Sequence, residues 1–214
     1  MRMTKTETTR NLSLALEKYI DPHEDPRIYW AKEVSFDCAT DHKIRVDYMQ
    51  FKPVNNSVSG IEKGDFYCYE IKSSVEDFQS KHGHNFIGDF NYYVMLENVY
   101  EKVKEDIPYG IGVLVPDGED SFSDRYHLKC IKKPRHQNRS RPVSEMLLMM
   151  FRSAKREYRK AIAKKDSKQI PRLALDTGDK TYPYMCPSCR HTLEIGYKHC
   201  IFCGQKLRYE EAIL

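Results

Sequence analysis

Apolar residues in the first half of the chain follow two spacings, which predict helices alternating with strands. Leu12, Leu16 and Ile20 recur at helical spacing, so residues 5–20 are predicted to form an amphipathic helix. Strand-like runs follow at EVSFDC, KIRVDYMQF, FYCYEIK, NYYVML, YGIGVLV and RYHLKCIKK. Helical patterns come after the third and fourth of these runs. This order predicts an α/β fold of the α+β type, with helices packed against one mixed sheet.

A long helical pattern and a cysteine-rich segment complete the chain. The run SRPVSEMLLMMFRSAKREYRKAIAKK has apolar residues at helical spacing, and we expect Met146, Met150, Ala154 and Tyr158 to face the core. Residues 166–184 keep no sustained period and read as a linker. We therefore expect a first domain over residues 1–131, a basic helix and linker over 132–182, and a small module over 183–214.

Composition argues against a membrane protein. The chain has 214 residues, of which 31% are charged. No apolar run approaches the roughly 20 residues that cross a bilayer. The N-terminus lacks the apolar core of a signal peptide. We expect a cytoplasmic protein without a membrane partner, in the host cytoplasm if a phage encodes it.

The cysteine-rich segment has the spacing of a metal site. CPSCRHTLEIGYKHCIFCGQKL contains two CxxC pairs separated by ten residues. Each pair places two thiolates on one ion, and zinc accepts four sulfurs in a tetrahedron. The pattern resembles a zinc ribbon and predicts one structural Zn²⁺. Two disulfides are the alternative, which a reducing compartment disfavours. The expected ligands are Cys186, Cys189, Cys200 and Cys203.

Charge is distributed unevenly along the chain. Residues 131–172 contain 14 Lys or Arg against three acids, although the net charge of the whole chain is only +4. Such a basic block is typical of a surface that binds phosphate groups. A solvated helix face is the alternative. The expected nucleic-acid contacts on this helix are Arg152, Lys155, Arg156 and Arg159.

Two acids and a lysine fall on neighbouring predicted strands. Glu70 and Lys72 are two residues apart, so both side chains point to the same face of a strand. If the strands 44–51 and 66–72 pair, Asp47 meets Glu70 at one end of the sheet. Such carboxylates hold Mg²⁺ or Mn²⁺, with the ammonium facing a metal-bound water or a phosphate oxygen. An ion pair between Glu70 and Lys72 that supports only itself is the alternative.

These residues, in this order of elements, resemble the PD-(D/E)xK nuclease superfamily. The runs RVDYMQF, FYCYEIKSS, FNYYVM and IPYGIGVLV are similar to its MmcB-like DNA repair branch, although Val46 stands where the name has proline. Over residues 10–131, the resemblance implies a restriction-endonuclease-like αβββαβ core that cleaves DNA with a metal. It implies that Asp47, Glu70 and the backbone carbonyl of Ile71 bind Mg²⁺, with Lys72 catalytic.

Further residues are expected near this site. Many nucleases use an additional acid, and Glu33 is favoured over Glu17 because it begins the strand next to Asp47. The three cysteines outside the ribbon fall in strands and are expected to fill the core. The loop SKHGHNF is expected to bring three phosphate contacts to the mouth of the site, namely Lys81, His82 and His84.

Three functions are consistent with the sequence. The leading one is an Mg²⁺-dependent DNA endonuclease in DNA repair, recombination or phage replication. The second is a nucleic-acid-binding protein that keeps a nuclease fold without turnover. The third is an adaptor whose zinc ribbon binds a replication or transcription protein. No sequence feature separates DNA from RNA as the partner.

Overall fold

The computed structural model describes residues 4–38, 40–80, 82–117, 127–194 and 196–209. The chain divides into two compact units, Met1–Lys155 and Arg156–Leu214. The helices are α1 (Lys5–Ile20), α2 (Val58–Glu62), α3 (Val75–Gln79), α4 (Glu97–Val103) and α5 (Val143–Gln169), with a 3-10 turn at Lys104–Asp106. The longer strands are β1 (Tyr29–Phe36), β2 (Ile44–Lys52), β3 (Asp65–Lys72), β4 (Phe90–Met95), β5 (Gly112–Asp117) and β6 (His127–Lys132).

The first unit is built around one mixed sheet of six strands. The strands lie in the order β1-β2-β3-β4-β5-β6. The β3–β4 and β4–β5 pairs are parallel, and the other three are antiparallel. The mixed α/β fold predicted from the sequence is therefore confirmed. β1 begins four residues before the predicted run at Glu33, and α2 lies in a segment predicted as loop.

Helix α1 covers one face of this sheet and spans the predicted residues. Thr4 caps it: the Thr4 Oγ1 accepts the Glu7 N–H, and the Glu7 carboxylate accepts the Thr4 N–H at 2.8 Å. This reciprocal capping box satisfies two amides at the start of the helix. The buried stripe of α1 then packs in one cluster with sheet residues that include Tyr48 and Tyr69.

The opposite face is covered by α3, α4 and the first half of α5. Val143, Met146 and Met150 of α5 pack into a cluster with residues of β1, β2 and β3. The first unit therefore extends to Lys155 rather than ending at residue 131. The expectation that Ala154 and Tyr158 face the core is wrong, since Ala154 is exposed and Tyr158 is 68% exposed. Helical spacing identifies an apolar stripe but not how far its packing surface extends.

The second unit consists of the end of α5 and short strands. These are β7 (Arg172–Leu173), β8 (Leu175–Asp176), β9 (Tyr184–Met185), β10 (Thr192–Leu193) and β11 (Leu207–Arg208). The segment expected to be a linker thus contributes strands, because β7 pairs with β11 and β8 pairs with β9. The buried amide of Gln205 donates to the Ile170 carbonyl at 2.8 Å and joins the cysteine-rich loops to the end of α5. In the described part of the chain, no helix is long and apolar enough to cross a membrane.

Candidate active site

The β2–β3 pairing brings Asp47 to Glu70 and Ile71. Tyr48 lies opposite Tyr69 in the antiparallel register, so Asp47, the residue before Tyr48, lies beside Glu70, the residue after Tyr69. The Asp47 Oδ2 accepts the Ile71 backbone N–H at 2.9 Å. Burial raises the pKa of Asp47, and the Ile71 hydrogen bond only partly offsets this. One oxygen of Asp47 is thus fixed by the sheet, which orients the carboxylate.

Glu70 is a buried carboxylate without a hydrogen-bond partner. Its side chain is 1% exposed, and neither Oε1 nor Oε2 has a partner of normal geometry. Burial, followed by the nearby Asp47 charge, raises the pKa of Glu70 to about 9. The amides of Asn85 lie close enough to lower this pKa slightly, without satisfying either oxygen. A buried acid left in this state is costly for the fold unless a cation or a proton compensates it.

Lys72 lies on the same face of β3 as Glu70 and is held by backbone carbonyls. Its Nζ donates to the His82 carbonyl at 2.6 Å and to the Asp77 carbonyl at 3.3 Å. Burial lowers the pKa of Lys72, and the acids Asp77 and Glu70 act in the opposite direction. Glu70 and Lys72 do not hydrogen-bond to each other, since neither Glu70 oxygen has a hydrogen-bond partner among the described residues. The structure therefore does not support the alternative in which Glu70 and Lys72 bind only to each other.

The loop after α3 closes over both side chains at Gly83. A Cβ at this position would lie 2.9 Å from the Lys72 Nζ and 3.0 Å from the Glu70 Oε2. Gly83 also has φ +68°, which side chains other than glycine adopt at a cost. The glycine of SKHGHNF is therefore needed for the loop to approach the site.

His84 fixes this loop rather than projecting freely from it. Its Nε2 lies 2.9 Å from the carbonyl oxygens of Phe78 and Ser80, and its Nδ1 contacts the Tyr93 hydroxyl. Both ring nitrogens therefore already have hydrogen-bond partners within the protein, and a contact with phosphate would require these bonds to break. His82 is exposed and lines the cleft described next. Lys81 lies outside the described residues.

Asp47 and Lys72 open onto a cleft of about 640 Å³. The cleft runs between the β1–β2 turn and the loop at residues 82–85. Its lining includes three basic residues that the sequence reasoning missed, His42, Lys43 and Arg45. Their signal was present in DHKIRVD, where three basic residues stand within five positions of Asp47. A short polar turn between two strands is typical of a connection, so these residues do not by themselves predict a binding surface.

The two candidate additional acids have different surroundings. Glu17 on α1 accepts a hydrogen bond from the Tyr48 hydroxyl at 2.7 Å and pairs with Lys32 at 3.2 Å. Glu33 lies near Asp47, whose pKa its charge raises, and pairs with Arg45 at 3.0 Å. Glu33 is thus the candidate whose charge acts on Asp47, and one of its contacts is the cation Arg45.

The backbone at Glu33 interrupts the strand. Its φ is +57°, and it is missing from the otherwise continuous β1–β2 register. Ala31 and Val34 consequently pack in the same core cluster, although a regular strand would point them to opposite faces. The alternation of side chains between the two faces of the sheet is therefore interrupted beside Asp47. The periodicity of the sequence does not predict this interruption.

The four ribbon cysteines converge in the second unit. The Cys186 and Cys203 sulfurs are 3.7 Å apart, and those of Cys189 and Cys200 are 3.6 Å apart. All four sulfurs lie within 4.8 Å of one another, and none forms a disulfide. A tetrahedron with Zn–S bonds of about 2.3 Å has edges of about 3.8 Å. The spacing therefore fits one Zn²⁺ and is too long for disulfides.

A second group of possible ligands lies at the start of β3. The His136 Nε2 is 3.8 Å from both the Asp65 Oδ1 and the Asp89 Oδ1. The other Asp89 oxygen accepts hydrogen bonds from the Phe66 N–H at 2.8 Å and from Arg139 at 3.0 Å. Asp89 is thus already neutralised by an arginine, unlike Glu70.

The basic residues of α5 from Arg152 to Lys165 are exposed, whereas Lys168 is partly buried. Arg156 lies 3.5 Å from Glu157, whose oxygen also accepts from Lys160 at 2.7 Å. An exposed, positively charged helix face fits phosphate binding and also fits a solvated surface. The predicted contacts are all on this face: Arg152, Lys155, Arg156 and Arg159.

Comparison with known proteins adds little to this geometry. No family model matches the chain, and no curated protein matches it. The solved structure of a protein of unknown function from Silicibacter pomeroyi is 16% identical, with a TM-score of 0.49. The similarity covers 78% of this chain and 94% of that one. The function of that protein is unknown, so the similarity carries no information about activity.

Proposed function

We propose that the protein is a metal-dependent nuclease of the PD-(D/E)xK type that hydrolyses phosphodiester bonds in DNA. The observation that carries this proposal is the Glu70 carboxylate. It is buried beside Asp47 with both oxygens unpartnered, and Asp47 itself lines a cleft together with Lys72 and other basic residues. A divalent cation is the ligand that such a donor set fits, since Mg²⁺ and Mn²⁺ prefer carboxylate oxygens.

The order of elements supports the proposal. α1, β1, β2, β3, α3 and β4 occur in the order that the resemblance implies for the αβββαβ core, with the short helix α2 between β2 and β3. Asp47 lies on the second strand of this series, and Glu70 and Lys72 end the third. A metal bound here would lie at the end of the antiparallel β2–β3 pair, where the cleft is open to a substrate.

Each residue of the site has a separable task. Asp47 and Glu70 would hold the metal ion, with the Ile71 carbonyl as a further oxygen donor. When bound, Mg²⁺ lowers the pKa of water and stabilises negative charge on a phosphate. Lys72 keeps its ammonium in place through the His82 and Asp77 carbonyls. In this proposal, that fixed positive charge would be the electrostatic partner of a phosphate oxygen in the cleft.

The second unit is assigned a structural Zn²⁺ held by its four cysteines. All four ligands are protein sulfurs, which leaves no coordination position for a water and therefore no catalytic role. Ile201 and Phe202, beside the ligand Cys203, are 64% and 57% exposed. This apolar tip favours, as a second candidate function, an adaptor that binds a replication or transcription protein through the ribbon.

Cleavage assays test the nuclease directly. Labelled single-stranded, duplex and branched DNAs, with matched RNAs, are incubated with the zinc-loaded chain and Mg²⁺. We expect cleavage of at least one DNA, which Asp47→Asn and Glu70→Gln abolish without loss of DNA binding. Glu62→Gln, an exposed acid on α2, is the matched control and keeps full activity. Cleavage that persists in excess EDTA or in both active-site variants contradicts the proposal. DNA binding without any cleavage would favour a non-catalytic nucleic-acid-binding protein.

A further inference from the structure

The cleft has one wall that is positively charged independently of Lys72. His42, Lys43 and Arg45, at the β1–β2 turn and the start of β2, line it together with Asp47. The facing wall is the loop of His82, Gly83 and Asn85. Asn85 joins the two walls, because its Nδ2 donates to the Arg45 carbonyl at 2.8 Å. The basic wall is therefore attached to the loop that covers the carboxylates.

Arg45 is oriented by Glu33, the residue at which the β1 strand is irregular. The Glu33 Oε2 lies 3.0 Å from an Arg45 nitrogen, with side chains 40% and 58% exposed. Exposed pairs of this kind contribute little to folding, while the positive φ of Glu33 is unfavourable. The Glu33–Arg45 pair therefore contributes little to the stability of the fold. Its effect is to hold a guanidinium beside Asp47.

We propose that Lys43 and Arg45 bind the phosphodiester backbone of a nucleic acid in the cleft, and that Glu33 positions Arg45 and is not a metal ligand. This inference rests on the proposed function of the same site. A guanidinium has five N–H donors in a planar fork, so one edge can contact Glu33 while the other contacts a phosphate. Lys43 supplies a second charge on the same wall.

DNA binding in the absence of Mg²⁺ tests the role of the basic wall of the cleft. Anisotropy titrations of labelled duplex DNA with the zinc-loaded full chain, without Mg²⁺, are repeated from low to high salt. Arg45→Gln and Lys43→Gln should each lower the slope of log affinity against log salt by about 0.9. Each should weaken binding at low salt by roughly tenfold. Arg27→Gln is the control, since Arg27 also pairs with a partly exposed acid, Asp25, and does not line the cleft.

A double-mutant cycle tests the role of Glu33. If Glu33 acts through Arg45, the effect of Glu33→Gln on KM should disappear in the Arg45→Gln background. Mn²⁺ affinity, measured by electron paramagnetic resonance, should stay within twofold of wild type in Glu33→Gln.

The outcomes separate this inference from the proposed function. Unchanged salt slopes in both cleft variants overturn the phosphate-binding wall, even if the wild type cleaves DNA. A large loss of Mn²⁺ affinity in Glu33→Gln overturns its positioning role. Reduced slopes together with no cleavage by the wild type support the wall and contradict the nuclease.

Discussion

Replacing Glu70 by Gln should stabilise the metal-free protein as the pH rises. The folded chain keeps a proton on Glu70 up to about pH 9, whereas the unfolded chain releases it near the ordinary value of 4.5. Between these values the folded state binds more protons than the unfolded state. The wild-type free energy of unfolding therefore falls as the pH rises from 4.5 toward 9. Gln keeps the shape of the protonated acid and cannot ionise, so the variant avoids this loss.

The size of the effect follows from linkage. At pH 8 the raised pKa of Glu70 lowers the wild-type free energy of unfolding by at most ~5 kcal/mol, taking about 1.36 kcal/mol for each pH unit above the ordinary pKa. Asp47 lies beside Glu70, and the two acids titrate as an interacting pair, so part of this loss belongs to Asp47. We therefore expect Glu70→Gln to raise the free energy of unfolding by about 2–4 kcal/mol at pH 8. Near pH 5 the gain should be close to zero.

Urea unfolding measures this gain. Fluorescence of Trp30, the single tryptophan, reports on the first unit because its ring stacks on Tyr48 with centroids 5.9 Å apart. Wild type, Glu70→Gln and the control Glu62→Gln are unfolded in chelator at pH 5, 6, 7 and 8. A gain for Glu70→Gln that does not grow with pH refutes the reasoning, as does a less stable variant at pH 8. Adding Mg²⁺ at ten times its dissociation constant should restore about 1.4 kcal/mol to the wild type only.

Three further predictions concern separate parts of the chain. Gly83→Ala should destabilise the first unit by about 1–2 kcal/mol through its left-handed backbone, and should slow cleavage by displacing Lys72; unchanged cleavage would contradict the close approach of the loop. Native mass spectrometry should find one zinc per chain, lost in Cys186→Ser while Trp30 fluorescence stays native; a Cys186 disulfide would contradict the zinc assignment. Replacing Arg152, Arg156 and Arg159 together by Gln should lower the salt slope of DNA binding by about two to three; an unchanged slope would assign these residues to a solvated helix face.

Local pattern was sufficient for much of the fold. The spacing of Leu12, Leu16 and Ile20 placed α1 correctly, and alternation placed Asp47 and Glu70 on paired strands. Both depend on contacts within a few residues or between consecutive strands. The short strands of the second unit were missed because two-residue strands are too short to show a period.

The surroundings of the site were harder to predict. The position of Gly83 over Lys72 and Glu70 depends on a loop path that no periodicity encodes. The Glu33–Arg45 contact depends on a left-handed residue inside a strand, which sequence alternation argues against. A pattern of acids and bases can thus identify a site, while the contacts that assign each residue a task require the tertiary structure.

The most direct test of the central claim, that Asp47 and Glu70 hold a divalent cation, is Mn²⁺ binding to the zinc-loaded chain. Electron paramagnetic resonance counts bound Mn²⁺ in the wild type, in Glu70→Gln and in Asp65→Asn, which alters the second group of ligands. We predict one Mn²⁺ site that is lost in Glu70→Gln and kept in Asp65→Asn. Undiminished Mn²⁺ binding by Glu70→Gln would contradict the account.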